Sequence, residues 1–154
     1  MSMATPIVTM AVDQRSKVLL VATGQGQTLI LKPKIEDDWG VVQPTGQDGN
    51  FANNPVTCAD VMSVGLAMFV VGYASGTIKL FLCETGQLVC EIGGHSRQVN
   101  ALVAHPSRMV FASAGDDTFV NLWEITGSQV DRLDINILTS SIVNDYQVVG
   151  LAFG

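Results

Sequence analysis

The sequence predicts an all-β chain made of repeated four-stranded antiparallel sheets, and three observations predict it. Hydrophobic residues make up 47% of the 154 positions and charged residues only 14%, a balance that suits buried sheets and not a disordered chain. Short runs of Val, Ile, Leu and Phe alternate with Gly, Asp, Asn and Thr clusters, the pattern of strands joined by tight turns. The runs also recur. Phe81 and Trp123 hold the same place in successive units, 42 positions apart, within the repeat of about 40–45 residues known for four-stranded repeat units. Leu31 holds that place in the first unit, 50 positions before Phe81, and the excess fits a long loop near residues 44–54.

The elements follow in order. Ile7–Val12 is a strand and Asp13–Ser16 a turn. Val18–Ala22 and Thr28–Leu31 form a hairpin around the Gly-containing stretch 23–26. Trp39–Val42 reads as an outer strand; 45–50 and Asn53-Asn54-Pro55 have loop composition. Val56–Val61 restarts the pattern, followed by Met68–Tyr73, the turn Ala74-Ser75-Gly76, Thr77–Phe81 and Gln87–Ile92. The third unit runs through Val99–Ala104, Met109–Ala112 and Phe119–Trp123, with Val130–Ile137 expected as its outer strand. Ile142–Gly154 reads as the first strand of a fourth. The units therefore span about 6–45, 55–92 and 94–137, with 142–154 beginning the next.

The third unit carries the sharpest signature. It opens on Gly94-His95, closes on Trp123-Glu124, and holds Ser113-Ala114-Gly115-Asp116-Asp117 between two apolar runs. Asp116-Asp117-Thr118 is a hairpin signal, because Asp side chains bond neighbouring backbone amides. This stretch resembles one repeat of the WD-repeat β-propeller family. Glu124 stands where the family has Asp, and the first two units lack both Gly-His and Trp-Asp, with Leu31 and Phe81 in the Trp position. The resemblance implies a partial propeller of about three blades plus the first strand of a fourth. It also implies a buried structural hydrogen-bond network of His95, Ser113, Asp117 and Trp123. Asp117 would accept from His95, and His95 would reach toward Ser113 and the Trp123 indole N–H.

His, Ser and Asp together are also the ingredients of a nucleophilic triad. No Gly-x-Ser-x-Gly elbow surrounds Ser113, and the spacing follows the blade pattern, so the reading is structural. A hydrolase would draw on His95, His105, Asp116 and Asp117. His105 precedes Pro106, which suits a turn, and adjacent Asp116 and Asp117 point apart in extended chain. No phosphate loop, metal-ligand cluster or cofactor motif is present. Three cysteines, Cys58, Cys83 and Cys90, form no Cys-x-x-Cys pair and signal neither a disulfide framework nor a zinc site. Reduced thiols fit a cytoplasmic location. A net charge of −6 opposes a nucleic-acid partner, and no apolar run is long enough for a membrane-spanning helix.

The resemblance further implies a non-enzymatic scaffold that presents loops to other proteins or peptides. Candidate contacts are Arg97, Arg108, Asn53 and Asn54, on loops that include 93–97 and Thr139-Ser140-Ser141. No Arg stands two residues after Trp123-Glu124, as it does in WD proteins that recruit ubiquitin-ligase adaptors, and no Phe-Arg-Arg-Gly stretch marks phosphoinositide binding. Three blades leave open edges. These are expected either to self-associate or to be covered by another chain, as in a structural subunit of a larger complex.

Overall fold

The computed structural model describes residues 6–24, 27–33, 39–42, 54–143, 148 and 150–154. The chain forms three four-stranded antiparallel sheets, each built from four consecutive strands. The first holds β1 (Ile7–Val12), β2 (Leu19–Thr23), β3 (Thr28–Pro33) and β4 (Trp39–Val42). The second holds β5 (Val56–Met62), β6 (Met68–Tyr73), β7 (Thr77–Leu82) and β8 (Leu88–Gly93). The third holds β9 (Val99–Ala104), β10 (Val110–Gly115), β11 (Phe119–Thr126) and β12 (Asp134–Ile142). Among the described residues the one helical turn is the 3-10 segment Val130–Arg132. Up-and-down pairing alternates the direction of successive strands within each sheet.

Sheets stack through apolar faces. Leu20 and Ile30 of the first sheet meet Phe69, Val71 and Phe81 of the second. Met68, Val70 and Leu80 on the other face of the second sheet meet Phe111, Trp123 and Ile125 of the third. Strands β6 and β10 are buried along their whole length, because a central strand is covered on both faces. The repeat is visible in the pairing itself. Leu19 lies opposite Leu31, Phe69 opposite Phe81, and Phe111 opposite Trp123.

Polar contacts sew the inner strands together. The Asp60 carboxylate accepts the Ala104 amide of the next blade at 2.8 Å and its neighbour Val61 amide at 2.8 Å. Thr57 donates its hydroxyl to the Val99 carbonyl. At the first seam Ser63 donates to buried Asp13 at 2.7 Å, and Arg15 donates to the Ser63 carbonyl at 2.6 Å. Burial raises the Asp13 pKa, but hydrogen bonds from Ser16, Ser63 and two turn amides outweigh it and hold the carboxyl below its ordinary value. The β6–β7 turn needs Gly76, which has φ +90°. A Cβ there would stand 2.0 Å from the His95 carbonyl oxygen.

Three expectations need correction. The outer strand of the third blade is Asp134–Ile142 and not Val130–Ile137, because Val130 and Leu133 turn under the blade and pack on the second core. Thr139-Ser140-Ser141 is strand and not loop, paired with Leu122, Asn121 and Val120. Of the segment 142–154, Ile142 ends β12, and residues 148 and 150–154 carry no strand. An inner strand pairs only with the second strand of its own sheet, and no such partner lies among the described residues. Expected loops at 45–50 and Asn53 lie outside the described residues.

The Asp60 staple has a measurable weight. Asp60→Ala orphans two backbone amides and should lower unfolding free energy by about 1–3 kcal/mol, read as a reduced urea midpoint at constant slope. A midpoint unchanged within error would show the bridge to be idle.

Candidate functional site

The connection after β8 runs Gly94-His95-Ser96-Arg97-Gln98 and crosses from the second blade to the third at one end of the stack. The His95 amide donates to the Gly76 carbonyl at 3.1 Å, tying the connection to the β6–β7 turn. The imidazole then enters the third blade and is 7% exposed as a residue. Its Nδ1 lies 2.9 Å from Asp117 Oδ1, and its Nε2 lies 2.8 Å from Ser113 Oγ. The Trp123 indole donates to the same Ser113 oxygen at 2.9 Å. The chain therefore runs Trp123 to Ser113 to His95 to Asp117, and the indole stops at Ser113 without reaching His95.

The direction of each bond follows from chemistry. A carboxylate only accepts, so His95 Nδ1–H donates to Asp117, and in the neutral imidazole Nε2 then carries the lone pair. Ser113 then donates its O–H to Nε2 while accepting from the indole. Asp117 also accepts the amides of Ser96 at 3.0 Å and Phe119 at 3.2 Å. Burial raises the Asp117 pKa, and the hydrogen bonds from His95 and from the two amides outweigh it, so its carboxyl sits below the ordinary value. Gly115 makes room for this arrangement, since a Cβ there would stand 2.7 Å from His95 Nδ1. Trp123 stacks on Phe111 at 6.1 Å between ring centres.

Sequence reasoning missed two members of this cluster. Asn121 donates to the Gly94 carbonyl at 3.1 Å and accepts from the Ser140 hydroxyl at 2.6 Å, extending the polar chain to β12. The signal was present: Asn121 alternates with Trp123 on one strand face, and a polar residue on a core-facing row needs partners.

The other expected residues do not form one site. Arg97 and Asn54 lie at the same end of the stack, with Arg97 exposed and Asn54 accepting the Ser75 amide at 3.1 Å. Arg108 lies in the β9–β10 turn at the opposite end, and Asn53 lies outside the described residues. Asp116 bonds Asn100 at 2.6 Å, away from Asp117. His105 stands in the β9–β10 turn, accepting the Ser107 amide at 3.1 Å. At the Arg108 end a cleft of about 710 Å³ opens between Asp13, Arg15, Lys32, Leu66 and Cys83. Burial, helped by the Asp13 charge and opposed by Lys32, pushes the Cys83 thiol up to about 12, and burial pushes Cys58 up to about 11. Both stay protonated at neutral pH and are poor nucleophiles. Among the described residues no three His, Cys, Asp or Glu side chains converge as metal ligands.

The network predicts two outcomes. Ser113→Ala orphans the indole N–H and His95 Nε2 and should cost about 1–3 kcal/mol per group, measured by denaturant melts. Asp117 has a folded pKa below its unfolded value of 3.8. Its contribution to stability is therefore complete above that value and lost as pH falls through the folded pKa. In melts between pH 5 and pH 2, Asp117→Asn should flatten this acid loss. An acid loss as steep as wild type would refute the assignment.

Comparison with known proteins places this geometry. A family profile described as WDR54 matches residues 21–154. That range contains both Gly72–Gly76 and the Ala114–Val120 turn. The chain is 27% identical over 136 residues to WD repeat domain 54 of Rattus norvegicus, covering 84% of this chain and 40% of the rat protein. It is 30% identical over 83 residues to WD repeat-containing protein 54 of Mus musculus, covering 53% of this chain and 25% of that protein. The chain thus spans about two-fifths of the rat relative's length. Among solved structures it superposes on the RRP9 WD40 repeats with TM-score 0.75 at 14% identity, over 97% of this chain and 42% of that one. The likeness to RRP9 is one of fold. With its family profile matched over residues 21–154, this chain belongs to the WDR54 family of WD-repeat β-propellers.

Proposed function

We propose that this chain is a non-enzymatic scaffold whose loops at the Asn54–Arg97 end hold protein or peptide partners. One observation carries the reading. The polar groups of His95, Ser113, Asp117 and Trp123 are engaged with one another, so they fix a surface instead of acting on a substrate. Above them Arg97 is exposed, and no hydrogen bond of its guanidinium exists among the described residues. Its backbone is pressed against the β6–β7 turn, with the carbonyl 2.6 Å from where a Gly76 Cβ would sit. A cation on a rigid backbone loses little freedom on binding. WD40 propellers are generally non-enzymatic scaffolds, which supports the same view by analogy of fold.

Ser113 is fully buried and offers no reachable nucleophile, which weighs against a hydrolase. The net charge of −6 weighs against nucleic acid. Three free thiols fit a reducing, cytoplasmic compartment. A second reading, a structural subunit whose open ends are covered by another chain, is favoured by the apolar side chains exposed on the first and third sheets.

Affinity capture with the purified chain tests the first reading. Arg97→Glu should remove the bound proteins that wild type retains, whereas Arg108→Glu, at the opposite end, should keep them. Equal capture by all three forms would move binding away from this surface.

A further inference from the structure

The cleft at the Arg108 end is built where all three sheets meet. The β1–β2 turn and Lys32 form one wall, and the β5–β6 turn with the start of the β7–β8 turn forms the other. Val130, from the 3-10 segment of the third sheet, completes the lining. These walls are turns at internal seams, separate from the outward faces of the first and third sheets. The volume of about 710 Å³ lies within the range of about 300–1,000 Å³ usual for small-molecule sites.

Hydrogen bonds tie the walls to each other. Arg15 donates to the Ser63 carbonyl at 2.6 Å and Ser63 donates to Asp13 at 2.7 Å, joining the β1–β2 turn to the β5–β6 turn. The Cys83 amide donates to the Ala67 carbonyl at 3.0 Å, joining the β5–β6 turn to the β7–β8 turn. A cleft fixed in this way asks little further ordering of the protein when a ligand enters.

The lining divides by chemistry. Leu66, Leu82 and Val130 supply apolar surface, and the Cys83 thiol, which burial pushes up to about 12, adds no charge. Asp13 is buried with both oxygens filled, Oδ1 by the Ser63 hydroxyl and the Arg15 amide, Oδ2 by the amide and hydroxyl of Ser16. It has little left to offer a ligand cation. The two cations of the first-sheet wall keep unused donors. Arg15 commits one side-chain N–H, to Ser63, and the Lys32 ammonium has no hydrogen-bond partner among the described residues. Among those residues the one ion-pair contact is His95 with Asp117, so neither cation is paired with Glu84 on the second-sheet wall.

We propose that this cleft binds a small organic anion, a carboxylate carried on an apolar body. Its head sits at Arg15 and Lys32, and its body lies over Leu66 and Val130. The planar guanidinium matches a carboxylate and the ammonium adds a point charge beside it. An amine head would meet the same two cations with repulsion. The cleft is at the opposite end from Arg97, so this proposal and the capture experiment fail independently.

Backbone amide shifts of the isotope-labelled chain, titrated with decanoate, test it. Decanoate should shift the amides of Leu66, Cys83, Glu84 and Val130 to saturation. Decyltrimethylammonium, with the same tail and a positive head, should leave them in place. Lys32→Gln should weaken decanoate binding about threefold to tenfold. Lys32→Arg, which keeps the charge, should hold it within about twofold, and Arg97→Gln should not change it. Wild-type binding should weaken as sodium chloride screens the two cations, a measurement that needs no variant. Unmoved cleft amides, equal shifts with the ammonium, wild-type binding indifferent to salt, or a Lys32→Gln chain that binds as tightly as wild type would each overturn the proposal.

Discussion

A four-stranded sheet with two apolar faces cannot stand alone in water, and the rest of this structure follows from that constraint. Each central strand must be covered twice, so sheets stack in sequence order and cover one another. Burying a side chain the size of Phe69 or Phe111 contributes about 1.5–3 kcal/mol relative to leaving it exposed. The seams collect such residues in rows instead of scattering them. The second sheet, covered on both sides, exposes no large apolar side chain among its described residues. The outer strands feel the constraint least. β12 is exposed along almost its entire length, Ile137, Leu138 and Ile142 included.

The two seams solve the same packing problem with different chemistry. At the second seam Ser113 and Trp123 belong to a polar chain; one repeat earlier, Val71 and Phe81 fill the same places with carbon. The two positions change together for a physical reason. A lone Ser in the Val71 position would bury a hydroxyl without His95 to receive its proton, and a lone Trp in the Phe81 position would bury an indole N–H without an acceptor. A polar network inside a sheet is favourable when every member is satisfied and unfavourable when one is missing. Asp60 and Thr57 on β5 supply the polar fastening for the second blade from its inner edge.

Strand existence was legible because two-faced burial writes apolar runs directly into sequence, and the turns were legible because Gly76 and Asp117 are residues that those turns demand. The position of Leu31, Phe81 and Trp123 in one register followed from spacing alone. The third blade's outer edge was not legible. Val130 and Leu133 read as strand by hydrophobicity, yet they are apolar because they tuck beneath the sheet. Thr139-Ser140-Ser141 read as loop by polarity, yet an outer strand wetted on both faces has no need of apolar residues, and Ser140 is tied to Asn121. Asp60 escaped notice because the amide it accepts belongs to Ala104, 44 positions away. Local pattern carries no record of such a partner. The opposed placement of Arg97 and Arg108 likewise depends on which end of a blade each connection occupies.

The structure assembles Asp117, His95 and Ser113 in hydrogen-bonded sequence at 2.9 and 2.8 Å, the order used by serine hydrolases, and surroundings decide what the order does. A nucleophilic serine needs an oxygen facing a substrate carbonyl, with a lone pair free to attack and donors beyond it for the developing oxyanion. Ser113 faces protein on all sides. Its oxygen is fully buried between β9 and β11 and accepts the Trp123 N–H, which occupies one of its two lone pairs. His95 takes the Ser113 proton as a static hydrogen bond, and Asp117 fixes the imidazole tautomer while also binding the backbone of the β8–β9 connection and of the β10–β11 turn. Trp123, Ser113, His95 and Asp117 are thereby joined in one hydrogen-bonded chain that ties the β8–β9 connection, which carries Arg97, to the third blade.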